Sequence, residues 1–255
     1  MKVGIVGVGL IGGSVAQALA EADVPLWLSD ADPATEAALR VAGLGVVAPW
    51  SNWVGDVDQV VIAAPLIKVP ALLAAIVPEM RPGAQLIDLS SLKLPLAGAL
   101  RSASDRVEVL ALHMMAGREV SGFHAADPHL FRGRPLAVVD IGAGFPAAEA
   151  VTFWERNLGT EPARYWSASD HDAQMAWVSQ LPYLASRALR MAVEQHFNGE
   201  PELIGPGYRD TIRVGTSPLA PIEPLLWANR SAVEPALAAL AAELDRWRKI
   251  FQDGS

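Results

Sequence analysis

Apolar residues follow two rhythms along this chain. Over roughly the first two thirds, short runs rich in β-branched residues alternate with stretches of helical periodicity, and strands are predicted at 2–6, 25–29, 59–63, 85–89, 107–110 and 135–141. Apolar strands separated by helices predict a parallel sheet covered on both faces. From about residue 169 only the helical rhythm remains. One long helix is predicted over 169–197, kinked at Pro182 because proline removes a backbone donor. The last helix repeats apolar residues at Val233, Leu237, Leu240, Leu244, Trp247 and Phe251, a heptad seam shorter than three heptads. Packing within a helical bundle and a subunit interface both account for it.

Composition narrows the classes. The chain has 255 residues, 51% apolar and 19% charged, a globular balance rather than a disordered one. Twenty Lys and Arg against 28 Asp and Glu leave a net charge of −8, which repels a phosphate backbone or an anionic lipid surface, so neither nucleic acid nor membrane is an expected partner. With no cysteine there is no disulfide framework or thiolate metal site, and nothing points to an oxidising compartment; a cytoplasmic location is expected. The stretch 60–78 carries Lys68 as its only charge and is nominally long enough to cross a bilayer, but Pro65, Pro70 and Pro78 break it. The N-terminus, with Lys2, an apolar run and Ala18-Leu19-Ala20, has the outline of an export signal, yet it is crowded with glycine.

Those glycines suit a different task. The first predicted strand runs into Gly7-Val8-Gly9-Leu10-Ile11-Gly12, then Gly13-Ser14 and a helical pattern. Gly7 would make the tight turn, Gly9 would let backbone approach a pyrophosphate and Gly12 would allow close packing of helix on strand, while the helix N-terminus holds the phosphates. Asp30, at the end of the second strand, is placed to accept hydrogen bonds from the adenosine ribose hydroxyls. A 2′-phosphate would be repelled there, and Ala31, Asp32 and Pro33 offer no cation to receive it, so NAD is expected over NADP. Ala64 and Pro65, beyond the strand at 59–63, join Gly7, Gly9, Leu10, Ile11, Gly12 and Asp30 as cofactor-binding candidates. The first domain is accordingly expected over 1–167 as a dinucleotide-binding domain, and a helical domain over 168–255.

Two more strand ends carry candidate chemistry. The fourth leads into Asp88-Leu89-Ser90-Ser91-Leu92-Lys93, the fifth into His113-Met114-Met115-Ala116-Gly117-Arg118-Glu119. Both are expected at the carboxyl edge of the sheet, where open α/β folds place ligands. His113 there is either a general base, its ring fixed by a neighbouring Ser, or a structural histidine. His124, His129, His171 and His196 show no metal-ligand spacing and are read as surface or packing residues; no metal is expected. In the helical part, Gly207-Tyr208-Arg209-Asp210-Thr211-Ile212-Arg213 is either a solvated salt-bridged face or the source of an Arg that clamps a substrate carboxylate.

Together these residues resemble the prephenate and arogenate dehydrogenase family of tyrosine biosynthesis, over nearly the whole chain. The resemblance rests on Gly9 to Ser14, on Asp88, Ser91 and Lys93, on His113 to Gly117, on Leu181-Pro182, on Arg209 to Arg213 and on Asn229-Arg230. It implies an N-terminal Rossmann-like domain and a C-terminal all-helical dimerisation domain. It further implies oxidative decarboxylation with hydride transfer to NAD, with His113 as catalytic base, Ser91 as its hydrogen-bonding partner and Arg213 on the ring carboxylate. Glu119 is implied near the site entrance, and a homodimer is expected. The chain departs from the pattern at Tyr183, where the family has His, at Ile222, where it has Trp, and at Met114, where it has Pro. Tyr183 is therefore expected to contact substrate through a phenol that carries no positive charge at neutral pH. A related dehydrogenase acting on another hydroxy acid, or a dinucleotide-binding dimer without turnover, are the competing expectations.

Overall fold

A computed structural model describes residues 1–254, which divide into two compact units, Met1–His171 and Asp172–Ser255. The first unit is built on strands β1 (Val3–Val6), β2 (Leu26–Ser29), β3 (Val46–Val47), β4 (Gln59–Ile62), β5 (Gln85–Asp88), β6 (Glu108–Met114), β7 (Leu136–Asp140) and β8 (Arg164–Ser167), in the spatial order β3-β2-β1-β4-β5-β6-β7-β8. Helices α1 (Leu10–Glu21), α2 (Pro33–Ala42), α3 (Val69–Ile76), α4 (Ala97–Ser104) and α5 (Ala148–Leu158) connect most of them.

Strand residues alternate between two buried layers, as a sheet covered on both faces requires. Ile5, Val61, Ile87, Leu110 and Leu112 join one core with Val15 and Leu19 of α1 and Trp154 of α5. Val6, Val60, Ile62, Leu86 and Ala111 join the other with Leu73 and Ile76 of α3 and Leu100 of α4. Truncating one of these leucines to Ala would cost about 2–5 kcal/mol by lost burial and cavity formation.

The register sets the functional edge. Ser29, Val6, Ile62, Asp88 and Ala111 lie in one row across the neighbouring parallel strands β2, β1, β4, β5 and β6. The residues just beyond that row therefore emerge together: Asp30, Gly7, Ala63, Leu89 and Leu112, with His113 next.

Three features differ from the sequence expectation. The sheet is not wholly parallel, since β7 runs antiparallel to β6; the connection between them contains only a single 3-10 turn, Phe123–Ala125, and no crossover helix that would return the chain in parallel. Strand β6 extends to Met114, so His113 is paired with Ala137 of β7 inside the strand instead of following it. Strands β3 and β8 were not foreseen: β3 is two residues long, and β8 is an edge strand with largely exposed side chains and no buried alternation to read.

The long helix of the last third is interrupted. Helix α6 (Ala168–Met175), which crosses the division between the units, continues through a π-helical turn, Ala176–Gln180, into α7 (Leu181–Phe197). Pro182 stands in the first turn of α7, where its missing donor is tolerated, and the widened turn before it takes the place of the expected kink. Helices α8 (Pro206–Ile212), α9 (Glu223–Ala228) and α10 (Arg230–Asp253) complete the second unit. On α10, Val233 is buried, whereas Leu237, Leu244, Trp247 and Phe251 are exposed. Most of the heptad seam is thus not covered by this chain.

Candidate active site

The glycine turn is shaped by contacts that only glycine permits. Gly7 has φ +86°, and a β-carbon there would stand 2.7 Å from the carbonyl oxygen of Ala63. At Gly12 a β-carbon would stand 2.0 Å from the carbonyl oxygen of Gly7, so α1 could not approach β1 so closely with any other residue. Gly9 is different: nothing lies within 4 Å of its β-carbon position. It also caps α1 without a side-chain hydrogen bond, leaving the first-turn N–H groups for an external anion. Gly13, not singled out from the sequence, lies against Phe123 and Ala126, and Ser14 accepts the N–H of Asp127 through Oγ at 3.0 Å. The signal, two small residues after the glycine motif, was present but had no partner to point to.

Asp30 is fixed by the same turn. Its Oδ2 accepts from the N–H of Val8 at 2.6 Å and its Oδ1 from the N–H of Asp32 at 2.9 Å. Asp32 caps α2, and the hydroxyl of Thr35 with the N–H of Ala34 holds its carboxyl below the usual carboxylate range. Two carboxylates therefore stand together between β2 and α2, a setting that repels a 2′-phosphate. An open cradle at Gly9, an uncapped helix start and an anchored Asp30 fit a dinucleotide. Ala64 and Pro65 follow Ala63 at the same edge.

Next along the edge is a buried ion pair. Lys93 and Asp88 are both 0% exposed, with Nζ to Oδ2 at 2.5 Å. Lys93 also donates to the carbonyl oxygens of Asp88, at 3.0 Å, and of Leu112, at 2.8 Å, while Ser90 Oγ donates to Asp88 Oδ1 at 2.6 Å. This network ties the end of β5 to β6 one residue before His113.

His113 Nδ1 lies 2.9 Å from Nε2 of His171, which is 2% exposed on α6. The rings meet edge to face, with centroids 5.1 Å apart and planes at 70°. Burial, then the His171 ring, then the Lys93 cation hold the His113 pKa well below the ordinary histidine value. A neutral imidazole with a ring nitrogen available can act as a general base. Ser91, the partner expected for this ring, is exposed and makes no hydrogen bond to His113 among the described residues. Its place on Nδ1 is taken by His171, which sequence spacing had assigned to packing; only the fold carries α6 back to β6. Glu119 is partly buried in the stretch after β6, beside Arg118, which pairs with Asp127.

The second unit holds the remaining candidates. Arg213 stands between α8 and the turn Val214–Thr216, and its carbonyl accepts from Thr216 Oγ1 at 2.6 Å. This stretch is clamped to α7. Ser186 Oγ donates to the carbonyl of Thr211 at 2.7 Å and accepts the N–H of Gly215 at 2.8 Å, and a β-carbon on Gly215 would stand 2.4 Å from the Arg187 nitrogen. Tyr183, one helical turn before Ser186, is 3% exposed and donates its hydroxyl to the carbonyl of Ser217 at 3.2 Å. That bond uses the one proton of the phenol and ties Tyr183 to the segment that follows Arg213. Asn229 is buried and donates to the carbonyl of Asp172 at 2.8 Å and to Gln180 Oε1 at 2.7 Å, joining the start of α10 to the π-helical turn. Among the described residues no cluster of His, Cys, Asp and Glu could hold a metal ion, and no helix is long and apolar enough to cross a membrane.

Comparison with known proteins places this architecture. Residues 15–153 match the family model of the prephenate dehydrogenase nucleotide-binding domain, and residues 167–255 match that of the prephenate dehydrogenase dimerization domain. A relative named "Probable prephenate dehydrogenase NovF" from Streptomyces niveus is 27% identical over 244 residues, which is 94% of this chain and 66% of that protein. The chain thus spans just under two thirds of that relative's length. Among solved structures, a prephenate dehydrogenase from A. aeolicus, in complex with hydroxyphenyl propionate and NAD+, is similar at TM-score 0.86 and 22% identity, covering 100% of this chain and 92% of that one. The Synechocystis arogenate dehydrogenase is similar at TM-score 0.79 and 23% identity, covering 100% and 93%. At these identities the two structures speak for the fold, and the matched family models, which cover most of the sequence, establish that the chain belongs to the prephenate dehydrogenase family.

Proposed function

We propose that this chain catalyses the NAD-dependent oxidative decarboxylation of prephenate, or of arogenate, to 4-hydroxyphenylpyruvate or tyrosine. The observation that carries the reading is His113, a neutral imidazole at the same sheet edge as the glycine turn and Asp30. Family membership supplies the reaction class. NAD, when bound, accepts the hydride that leaves C4 of the ring.

His113 takes the proton of the 4-hydroxyl as that hydride departs, so that C4 becomes a carbonyl carbon. The bond from the ring to its carboxylate then breaks, carbon dioxide leaves, and the electron pair aromatises the ring onto the C4 oxygen. His113 can return its proton to that oxygen, which closes the balance. Arg213 is assigned the ring carboxylate by its motif; it must not favour the carboxylate more in the ground state than in the transition state, or it would slow decarboxylation. Ser91 and Glu119 are assigned to the substrate side. Gly7, Gly9, Leu10, Ile11, Gly12, Asp30, Ala64 and Pro65 are assigned to the dinucleotide. The second unit is assigned to homodimer formation, supported by the dimerization-domain match and by exposed Leu244, Trp247 and Phe251 on α10.

The test is reduction of NAD, followed by its absorbance, offering prephenate and arogenate with each dinucleotide. Turnover of one or both with NAD is expected. Absence of turnover with both would favour another hydroxy acid as substrate, and dinucleotide binding without any turnover would favour a non-catalytic dimer.

A further inference from the structure

The contact between two imidazoles in the first unit carries an inference that rests on the reading of His113 as the base. We propose that His171 is a positioning residue that holds His113 in the tautomer protonated at Nδ1, leaving Nε2 as the nitrogen that accepts the substrate proton.

Nδ1 of His113 and Nε2 of His171 stand 2.9 Å apart, at hydrogen-bond distance, so one proton lies between those two nitrogens. Either His113 donates and His171 accepts, or the reverse. If His171 donated, His113 would carry its own proton on Nε2 and that nitrogen could take no other. Only the arrangement with Nδ1–H of His113 donating to His171 leaves a base on the outer nitrogen. The same arrangement is the one that survives the reaction: once His113 is an imidazolium, both its nitrogens are donors, and Nδ1 needs an acceptor. The bond then changes from neutral to charge-assisted, so it strengthens as the proton is transferred, which is the condition for an interaction to speed chemistry.

The surroundings leave this task to His171. Asp88, the carboxylate of the neighbouring network, is committed to Lys93 and to Ser90. Lys93 is itself committed to Asp88 and to the Leu112 carbonyl, and it stands near His113 as a cation, not an acceptor. A carboxylate in the position of His171 would draw the His113 pKa upward, whereas an imidazole nitrogen supplies an acceptor without a negative charge. His171 is also placed by its own helix, α6, so it reaches the imidazole independently of the strand ends that carry Ser90 and Ser91.

Two measurements test this. In protein labelled with 15N, the ring nitrogens of His113 distinguish protonated from unprotonated sites, and at pH near 7.5 the expected spectrum has Nδ1 protonated and Nε2 bare. A proton on Nε2 would overturn the proposal, with or without activity. In kinetics, His171→Leu is expected to lower kcat by about 10- to 150-fold, the worth of one charge-assisted hydrogen bond, with the Kd for NAD unchanged. His171→Gln, whose amide oxygen can accept, should recover most of the loss; His171→Lys, which can only donate, should not. Equal damage from Gln and Leu, or none from Leu, would overturn the proposal. If His171→Leu fails to fold, the spectrum of the unmodified protein and the Gln variant still decide. Failure of the underlying reading looks different: His113→Asn would then keep its activity.

Discussion

The ammonium of Lys93 donates at 2.8 Å to the carbonyl of Leu112, the residue before His113, while it is paired at 2.5 Å with the buried carboxylate of Asp88. A lysine from the segment after β5 therefore fixes the backbone of β6 next to His113, and after burial and the His171 ring its charge helps to hold the His113 pKa down. Removing one member of such a pair strands the other. Lys93→Met is expected to destabilise the protein by about 3–5 kcal/mol through the uncompensated charge of Asp88, and Lys93→Met with Asp88→Leu should cost less than the single change. Thermal melting of both variants checks the order; a double variant worse than the single one would show that the hydrogen bonds, not the charges, dominate.

The pH dependence follows from the direction of the His113 shift. Its folded pKa is depressed by burial first, then by His171 and Lys93, so the acidic limb of kcat/KM is expected below the ordinary histidine value of about 6.5. The sign for stability is the same. Above about 6.5 the ring is neutral in both folded and unfolded chains, and its contribution is intact; as pH falls below that, the unfolded chain takes up the proton first and stability is lost until the folded pKa is passed. His113→Asn should flatten this part of the stability curve, measured as melting temperature against pH from 7.5 downwards. An unchanged slope in the variant would assign the loss to other groups.

Dinucleotide choice rests on Asp30 and Asp32. With Asp30 anchored to Val8 and Asp32 held ionised at the start of α2, NAD is expected to be used in preference to NADP. Asp30→Ser combined with Ala31→Arg should relax or invert that preference, read as the ratio of kcat/KM for the two dinucleotides. Equal use of both by the unmodified protein would contradict the assignment.

Much of this arrangement was legible in the sequence, and the rest was hidden for definite reasons. Gly7 and Gly12 could be given separate tasks because each is a local steric requirement between residues close in sequence, and the steric environment of each is now explicit. Asp30 was found because a strand, a turn and a helix fix its distance from the glycine motif. The α/β class followed from strand periodicity, but the reversal of β7 did not, since only the absence of a crossover helix announces it. His171 could not be found: its partner is 58 residues away, and nothing local distinguishes a histidine on α6 that meets β6 from one that meets solvent. Tyr183 was drawn to substrate by the family pattern, whereas its hydroxyl is bonded to the Ser217 carbonyl.

The clamp on the Arg213 stretch gives a prediction that separates positioning from charge. Ser186→Ala removes the donor to Thr211 and the acceptor for Gly215, and should raise the KM for the ring-carboxylate substrate several-fold while leaving the Kd for NAD unchanged. Arg213→Ala should raise it further, about 10- to 150-fold, and Arg213→Lys should recover only part, because Lys lacks the two-pronged geometry. Unaltered kinetics in Arg213→Ala with only a small loss of melting temperature would return Arg213 to a solvated surface charge.

Turnover of His113→Asn at saturating NAD tests the proposed base most directly. With whichever of prephenate or arogenate the unmodified protein uses, kcat is expected to fall by roughly two to four orders of magnitude, the contribution of a positioned general base, with NAD affinity unchanged. Turnover within a few-fold of the unmodified protein would contradict the account and leave His113 as a structural residue of β6.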